Sequence, residues 1–153
     1  MKSKFWIVDM PKYSIIIFCI LNALAMFLYP GGSIHNKEQI GYAFSNNFFS
    51  DLGTLVTYSG LDNLTSAILF NFSLCVCGLT FIMLFLKVRN LFEMKLLSNT
   101  ATLFGVLGGF SFIGVAFTPA NIGGDIPDLL LDAHIFFAHG IFRCLLLASV
   151  LYT

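Results

Sequence analysis

Most of the side chains whose types and spacing could do chemistry stand near the end of this 153-residue chain: Asp125, Asp128, Asp132, His134, His139 and Arg143. They lead into, and partly lie within, a segment that is otherwise apolar. Ionisable groups at membrane depth are costly and mark either a working site or a polar contact between helices. On a helix turning about 100° per residue, Asp128, Asp132, His139 and Arg143 share one narrow face, while His134 points to nearly the opposite side. At a rise of about 1.5 Å per residue, His139 lies roughly 10 Å below Asp132, and Arg143 roughly 6 Å further. Carboxylates beside a histidine could bind a divalent metal or act as general acid and base. On this reading Asp51, Asp128, Asp132 and His139 line a polar cleft. His134 and His139 are five residues apart, however, which sets their rings about 140° apart rather than in the H-x-x-x-H geometry of helical metal sites. No metal ligands are assigned and no cofactor is predicted, a divalent metal being the one this set could take. A structural reading stands beside the functional one. Pro127 suits a first helical turn, Asp125 an N-cap and Asp128 the positive end of a helix.

The elements that must position these groups are membrane-spanning helices. The chain is 58% hydrophobic and 10% charged, against about 25% charged in an ordinary soluble domain, and its mean hydropathy is +0.87. Zero formal net charge gives no basic field for nucleic acid. Four apolar stretches reach the roughly 20 residues needed to cross a bilayer: Tyr13 to Tyr29, Thr65 to Leu86, Leu97 to Thr118 and about Ala133 to Tyr152. Their continuous apolarity excludes a barrel. The expected fold is an all-α polytopic bundle forming one transmembrane domain over residues 1–153. Lys2, Lys4 and Lys12 with Ala23-Leu24-Ala25 mimic a signal peptide, but Met26 to Tyr29 carries the apolar run past the supposed cut.

Orientation follows from Lys and Arg in the short flanks. The N-terminus carries Lys2, Lys4 and Lys12, and the loop between spans two and three carries Lys87, Arg89 and Lys95. The first loop carries only Lys37 and the third carries neither residue type. Both termini and the middle loop are therefore expected on the cytoplasmic side of a prokaryotic cell membrane. The first loop, with His35, Glu38, Asp51 and Asp62, and the third loop are expected outside. Arg143 then lies near mid-membrane and needs a carboxylate, carbonyl or water partner. No acid stands in the apolar body of another span, so a backbone carbonyl, a lipid phosphate, Asn22 or Asn71 remain.

Ala101, Gly105 and Gly109 recur at four-residue intervals in the third span, with Gly108, Ser111 and Gly114 beside them. Small residues so spaced let helix backbones approach closely, within the bundle or across a dimer face. Asn22 and Asn71 are expected to hydrogen-bond between helices. Cys19, Cys75, Cys77 and Cys144 all lie in apolar runs and read as small buried residues rather than metal ligands.

Phe48-Phe49-Ser50-Asp51-Leu52-Gly53 resembles the Ser-Asp-Leu-Gly signature of the multi-pass membrane family called domain of unknown function 998. Leu69-Phe70-Asn71-Phe72 through Gly78 is similar to its second-helix pattern. Gly109 through Pro119, then His134 and Gly140-Ile141-Phe142, resemble its Gly-rich third helix, Pro-containing loop and His-led fourth helix. The family is distantly similar to the Frag/DRAM/Sfk group of lipid-associated membrane proteins. The resemblance implies site residues Ser50, Asp51, Gly53, Asn71 and His134. It also implies a protein of about six helices, two of them missing here. His139 and Arg143 fall outside the pattern. Ser50, Asp51 and His134 also superficially resemble the zinc-holding set of the alkaline ceramidase and progestin-receptor-like membrane hydrolases, whose H-x-x-x-H motif is absent. Three functions compete: a structural or lipid-associated membrane protein with a polar extracytoplasmic site, its partners membrane lipids; a lipid hydrolase or lipid-remodelling enzyme using Asp51 and His134; and a small-solute or proton transporter using the Asp132–His139–Arg143 face.

Overall fold

The computed structural model describes residues 4–119 and 128–152, and over these the chain is a bundle of four long helices. We label them α1 (Phe5–Leu28), α2 (Leu64–Val88), α3 (Lys95–Phe117) and α4 (Asp128–Leu151). All four are long and apolar enough to cross a membrane. The architecture is thus the expected all-α multi-pass one. Among the described residues the only extended pairing is two isolated bridges, Gly31 with Ile40 and Val56 with Asp62.

The helix ends differ from the apolar runs for local reasons. α1 begins at Phe5 rather than Tyr13. Its first turn, Phe5–Asp9, is a π-helix in which the Met10 N–H reaches the Phe5 carbonyl. Pro11 stands next in the chain; its ring disfavours the ordinary bond and its missing N–H leaves a gap in the ladder. Lys4 and Lys12 thus flank or enter the helix instead of preceding it. Between α2 and α3 the Ser98 hydroxyl donates to the Arg89 carbonyl (2.9 Å), closing a tight hairpin.

The helices pack in chain order, α1 on α2, α2 on α3 and α3 on α4; α1 makes no comparable contact with α4. Between α1 and α2, the Asn22 amide donates to the Ser73 hydroxyl (2.9 Å), and Ser14 Oγ meets Cys77 Sγ at 3.7 Å. α2 and α3 approach through facing glycines. A Cβ on Gly78 would lie 2.5 Å from the Gly109 carbonyl oxygen, and one on Gly109 2.7 Å from that of Gly78. Gly105 accepts the Phe85 ring, and Gly108 faces Leu145 of α4. The small residues of α3 thus serve two neighbours inside the chain. At the end of the bundle away from the 30–63 loop, Tyr152 shares a hydrogen bond with Thr102 Oγ1 (2.7 Å) and packs on Phe85 and Phe92.

The long loop between α1 and α2 is folded. Its 3-10 turn Phe49–Gly53 returns to the bundle, with the Phe49 ring edge-on to Phe70 at 5.1 Å and near Phe18 at 6.0 Å. Large apolar side chains cover much of the helix surfaces, among them Ile16, Ile20, Phe27, Phe110, Phe136 and Phe142. Such a surface suits hydrocarbon and would drive aggregation in water.

Gly109→Leu is expected to force α2 and α3 apart and lower stability by about 1–3 kcal/mol, the usual range for overpacking. Thermal unfolding in detergent checks this, with Leu107→Ala on the exposed face of α3 as the comparison. Equal midpoints for Gly109→Leu and wild type would refute the close-packing account.

Candidate functional site

Two polar centres stand at the loop end of the bundle, and they are separate. The first is Asp51, 2% exposed although it carries a carboxylate. One of its oxygens accepts from the Asn47 side-chain amide and from the Phe48 backbone N–H, both at 3.0 Å. Asn47 is itself held on every side. Its amide also donates to the Gly32 carbonyl (2.8 Å), while its oxygen accepts from Gln39 (2.6 Å) and the Ala43 N–H (3.1 Å). Tyr29 donates to the same Gly32 carbonyl at 3.1 Å. Burial pushes the Asp51 carboxyl above its ordinary value, and the bonds from Asn47 and Phe48 offset this only in part. Its charge acts in turn on nearby phenols: burial, then Asp51, raise Tyr42, and the same two causes push Tyr58 up to about 12. The Tyr58 hydroxyl is buried with no partner among the described residues.

The anchor of this cap is Asn63. Its amide nitrogen donates to the carbonyls of Thr54 (2.8 Å), Leu52 (3.2 Å) and Asp51 (3.5 Å), and Ser66 adds a bond to the Leu52 carbonyl at 3.2 Å. Gly53 lies so close to α2 that a Cβ would come within 2.7 Å of the Phe70 ring and 2.9 Å of the Asn71 amide oxygen. The Ser-Asp-Leu-Gly segment and the Phe-Asn pair therefore touch. Asn71 faces this glycine, while the bond between helices falls to Asn22 and Ser73.

The second centre is His134, 7% exposed. Its Nδ1 lies 2.6 Å from the Thr118 carbonyl oxygen at the end of α3. A carbonyl only accepts, so Nδ1 carries a proton toward Thr118, and the contact leaves Nε2 unengaged. Pro119 follows Thr118, and the helix ends with that carbonyl free to take the histidine. His134 also lines a cavity of about 420 Å³ beside Phe18 of α1, Phe49 and Ser50 of the loop, Phe70 of α2 and Phe112 of α3. Ser50 and His134 are its polar members, and Asp51 is not part of its wall. The chain thus brings Ser50, rather than Asp51, to the histidine's cavity.

The face carrying Asp132, His139 and Arg143 is turned away from the bundle, all three side chains being exposed, while His134, Ile141 and Ala148 point inward. A cleft shared by Asp51, Asp132 and His139 is not formed. Asp125 and the side chain of Asp128 lie outside the described residues. Among the described residues no three His, Cys, Asp or Glu side chains converge as a metal site would require.

Sequence reasoning passed over Asn47, Thr118 and the aromatic cavity wall. Asn47, four residues before Asp51, carried a weak local signal. Thr118 before Pro119 marked a helix end with a carbonyl to satisfy. The cavity wall draws on four helices and a loop, a combination with no trace in the linear order. No protein-family model matches the chain, and no curated protein or solved structure does.

A raised Asp51 pKa fixes the sign of a pH effect. The folded protein holds this proton more tightly than the unfolded chain. No penalty exists below the unfolded value of 3.8; it grows as pH rises toward the folded value and is constant above it. Unfolding midpoints of wild type and Asp51→Asn at pH 4, 5, 6 and 7 should therefore diverge in the variant's favour as pH rises. A difference that is flat, or that moves toward wild type, would sink this assignment.

Proposed function

We propose that this chain is a lipid-associated integral membrane protein that takes the apolar part of an amphiphile into the cavity between α1 and α4. The ligand's polar end lies toward Ser50 and His134. The supporting observation is the cavity itself: about 420 Å³, walled by aromatic and aliphatic side chains with two polar groups. Size and composition match small-molecule sites, which are mostly apolar with a few placed polar groups. The helices flanking it, α1 and α4, make no contact comparable to those between chain neighbours, which leaves an acyl chain a sideways entry from the bilayer. The Lys and Arg distribution supports an extracytoplasmic position for the folded loop, and with it for the polar end of the cavity. The same reading agrees with the resemblance to the domain of unknown function 998 family, whose Ser-Asp-Leu-Gly and His positions border this region.

The test is native mass spectrometry of the protein purified in mild detergent, with lipid identification. Wild type should carry lipid. Ala138→Trp fills the cavity and should lower occupancy about tenfold, since displacing even two methylenes costs about 1.6 kcal/mol. Phe136→Trp, on the outer face, should not. Folded wild type with no bound lipid, or equal occupancy in Ala138→Trp, would overturn the proposal.

A second reading, acyl-ester hydrolysis, is favoured by one observation: a serine and a histidine whose Nε2 is not engaged by the Thr118 contact line the same cavity. Ser50 would attack the ester carbonyl as Nε2 takes its proton, and the alcohol would leave with that proton. Water would then release the acyl group. Fluorophosphonate labelling of wild type that disappears in both Ser50→Ala and His134→Ala supports it. An unlabelled wild type that still binds lipid leaves the binding role alone.

A further inference from the structure

The outward face of α4 is the least comfortable surface of this protein in a bilayer. Asp132, His139 and Arg143 lie along it, all exposed, among exposed Ile135, Phe136, Phe142 and Leu146. Arg143 is eight residues from the helix end at Leu151, roughly 12 Å of helix, which is far for a side chain to reach the interface unaided. The buried side of α4 is already engaged: His134 is bonded to Thr118, Gly108 of α3 receives Leu145, and Ser111 of α3 meets Gly140. Rotating α4 to hide the arginine would break all of these contacts. The face is therefore built to stay outward, and its charge requires a counter-group from elsewhere.

We infer that this face docks a transmembrane helix of a different protein, one carrying an Asp or Glu within its apolar stretch at the depth of Arg143. Charge complementarity selects this occupant. Asp9, in the opening π-helical turn of α1, is the one Asp or Glu in α1, α2 and α3; it lies about 6 Å from its helix end against about 12 Å for Arg143, and α1 makes no contact with α4 comparable to those between chain neighbours, so the chain offers no carboxylate of its own at that depth. A second copy does not supply one. Copies inserted in the same direction, meeting through this face, would set Arg143 beside Arg143, like charge against like. A carboxylate-bearing helix places an acid opposite the guanidinium, with His139 one turn away as a further donor. The flanking phenylalanines and leucine supply the packing surface.

The test uses the whole protein, donor-labelled, in phosphatidylcholine vesicles with an acceptor-labelled Leu/Ala transmembrane peptide. One peptide carries a single Glu at the depth of Arg143 and another has Leu there. The Glu peptide should give energy transfer at least tenfold stronger than the Leu peptide. Arg143→Leu should erase the difference, and Arg143→Glu should transfer preference to a Lys peptide. Circular dichroism and a single size-exclusion peak establish that each variant is folded, and the reversed preference keeps the test decisive if one variant is lost. Equal transfer by both peptides, or indifference to Arg143→Leu, overturns the inference. So does transfer between two copies that depends on Arg143, which would make the occupant a second copy. Loss of the Glu-peptide signal on adding anionic lipid would instead identify a lipid headgroup, and would equally overturn it.

Discussion

The carboxamide of Asn63 holds the loop to the bundle, and much of the loop end depends on it. Three backbone carbonyls, of Asp51, Leu52 and Thr54, turn toward one amide nitrogen. Carbonyls at the edge of hydrocarbon have little water to turn to, and leaving them unpaired is expensive. One side chain at the start of α2 serves all three, so the 3-10 turn must lie directly on α2. That seating forces Gly53 against Phe70 and Asn71, buries Asp51, and carries Phe49 and Ser50 to the wall of the cavity. Asn63 bears a cost for this: its own amide oxygen is buried without a partner among the described residues.

The same logic governs the other end of the cavity. α3 stops before Pro119, and His134 takes up the Thr118 carbonyl. A helix end is satisfied and a histidine Nδ1 engaged by one contact. Two structural necessities, a pinned loop and a capped helix, thus leave a serine and a histidine facing a shared apolar space. The structural and the chemical account of His134 are therefore compatible, since Nδ1 serves the fold and Nε2 is left over.

Close approach of α2 to α3 and of α3 to α4 leaves α1 and α4 as the outer members of the row. The cavity opens between them, and α4 turns its ionisable stripe outward. Ser50 and His134 border the cavity, whereas Asp132, His139 and Arg143 lie on the outer face of α4.

Four spans were legible in the sequence because length and continuous apolarity suffice to identify a helix that can cross a bilayer. The glycines of α3 were legible as a packing signal, and Asn22 as a polar bridge. The folded loop was harder to read: its hydrogen bonds join residues up to 28 apart, as in Ser59 to Gly31, and no periodicity announces them. Helical geometry alone determined that His134 and the Asp132–His139–Arg143 stripe must lie on opposite sides of α4, since the angle between residues of one helix is set by its pitch. Which side faces inward was decided only by tertiary structure. Rotation about a helix axis is fixed by what the neighbouring helix will accept, and here α3 offers Gly108 to Leu145, Ser111 to Gly140 and a free carbonyl to His134.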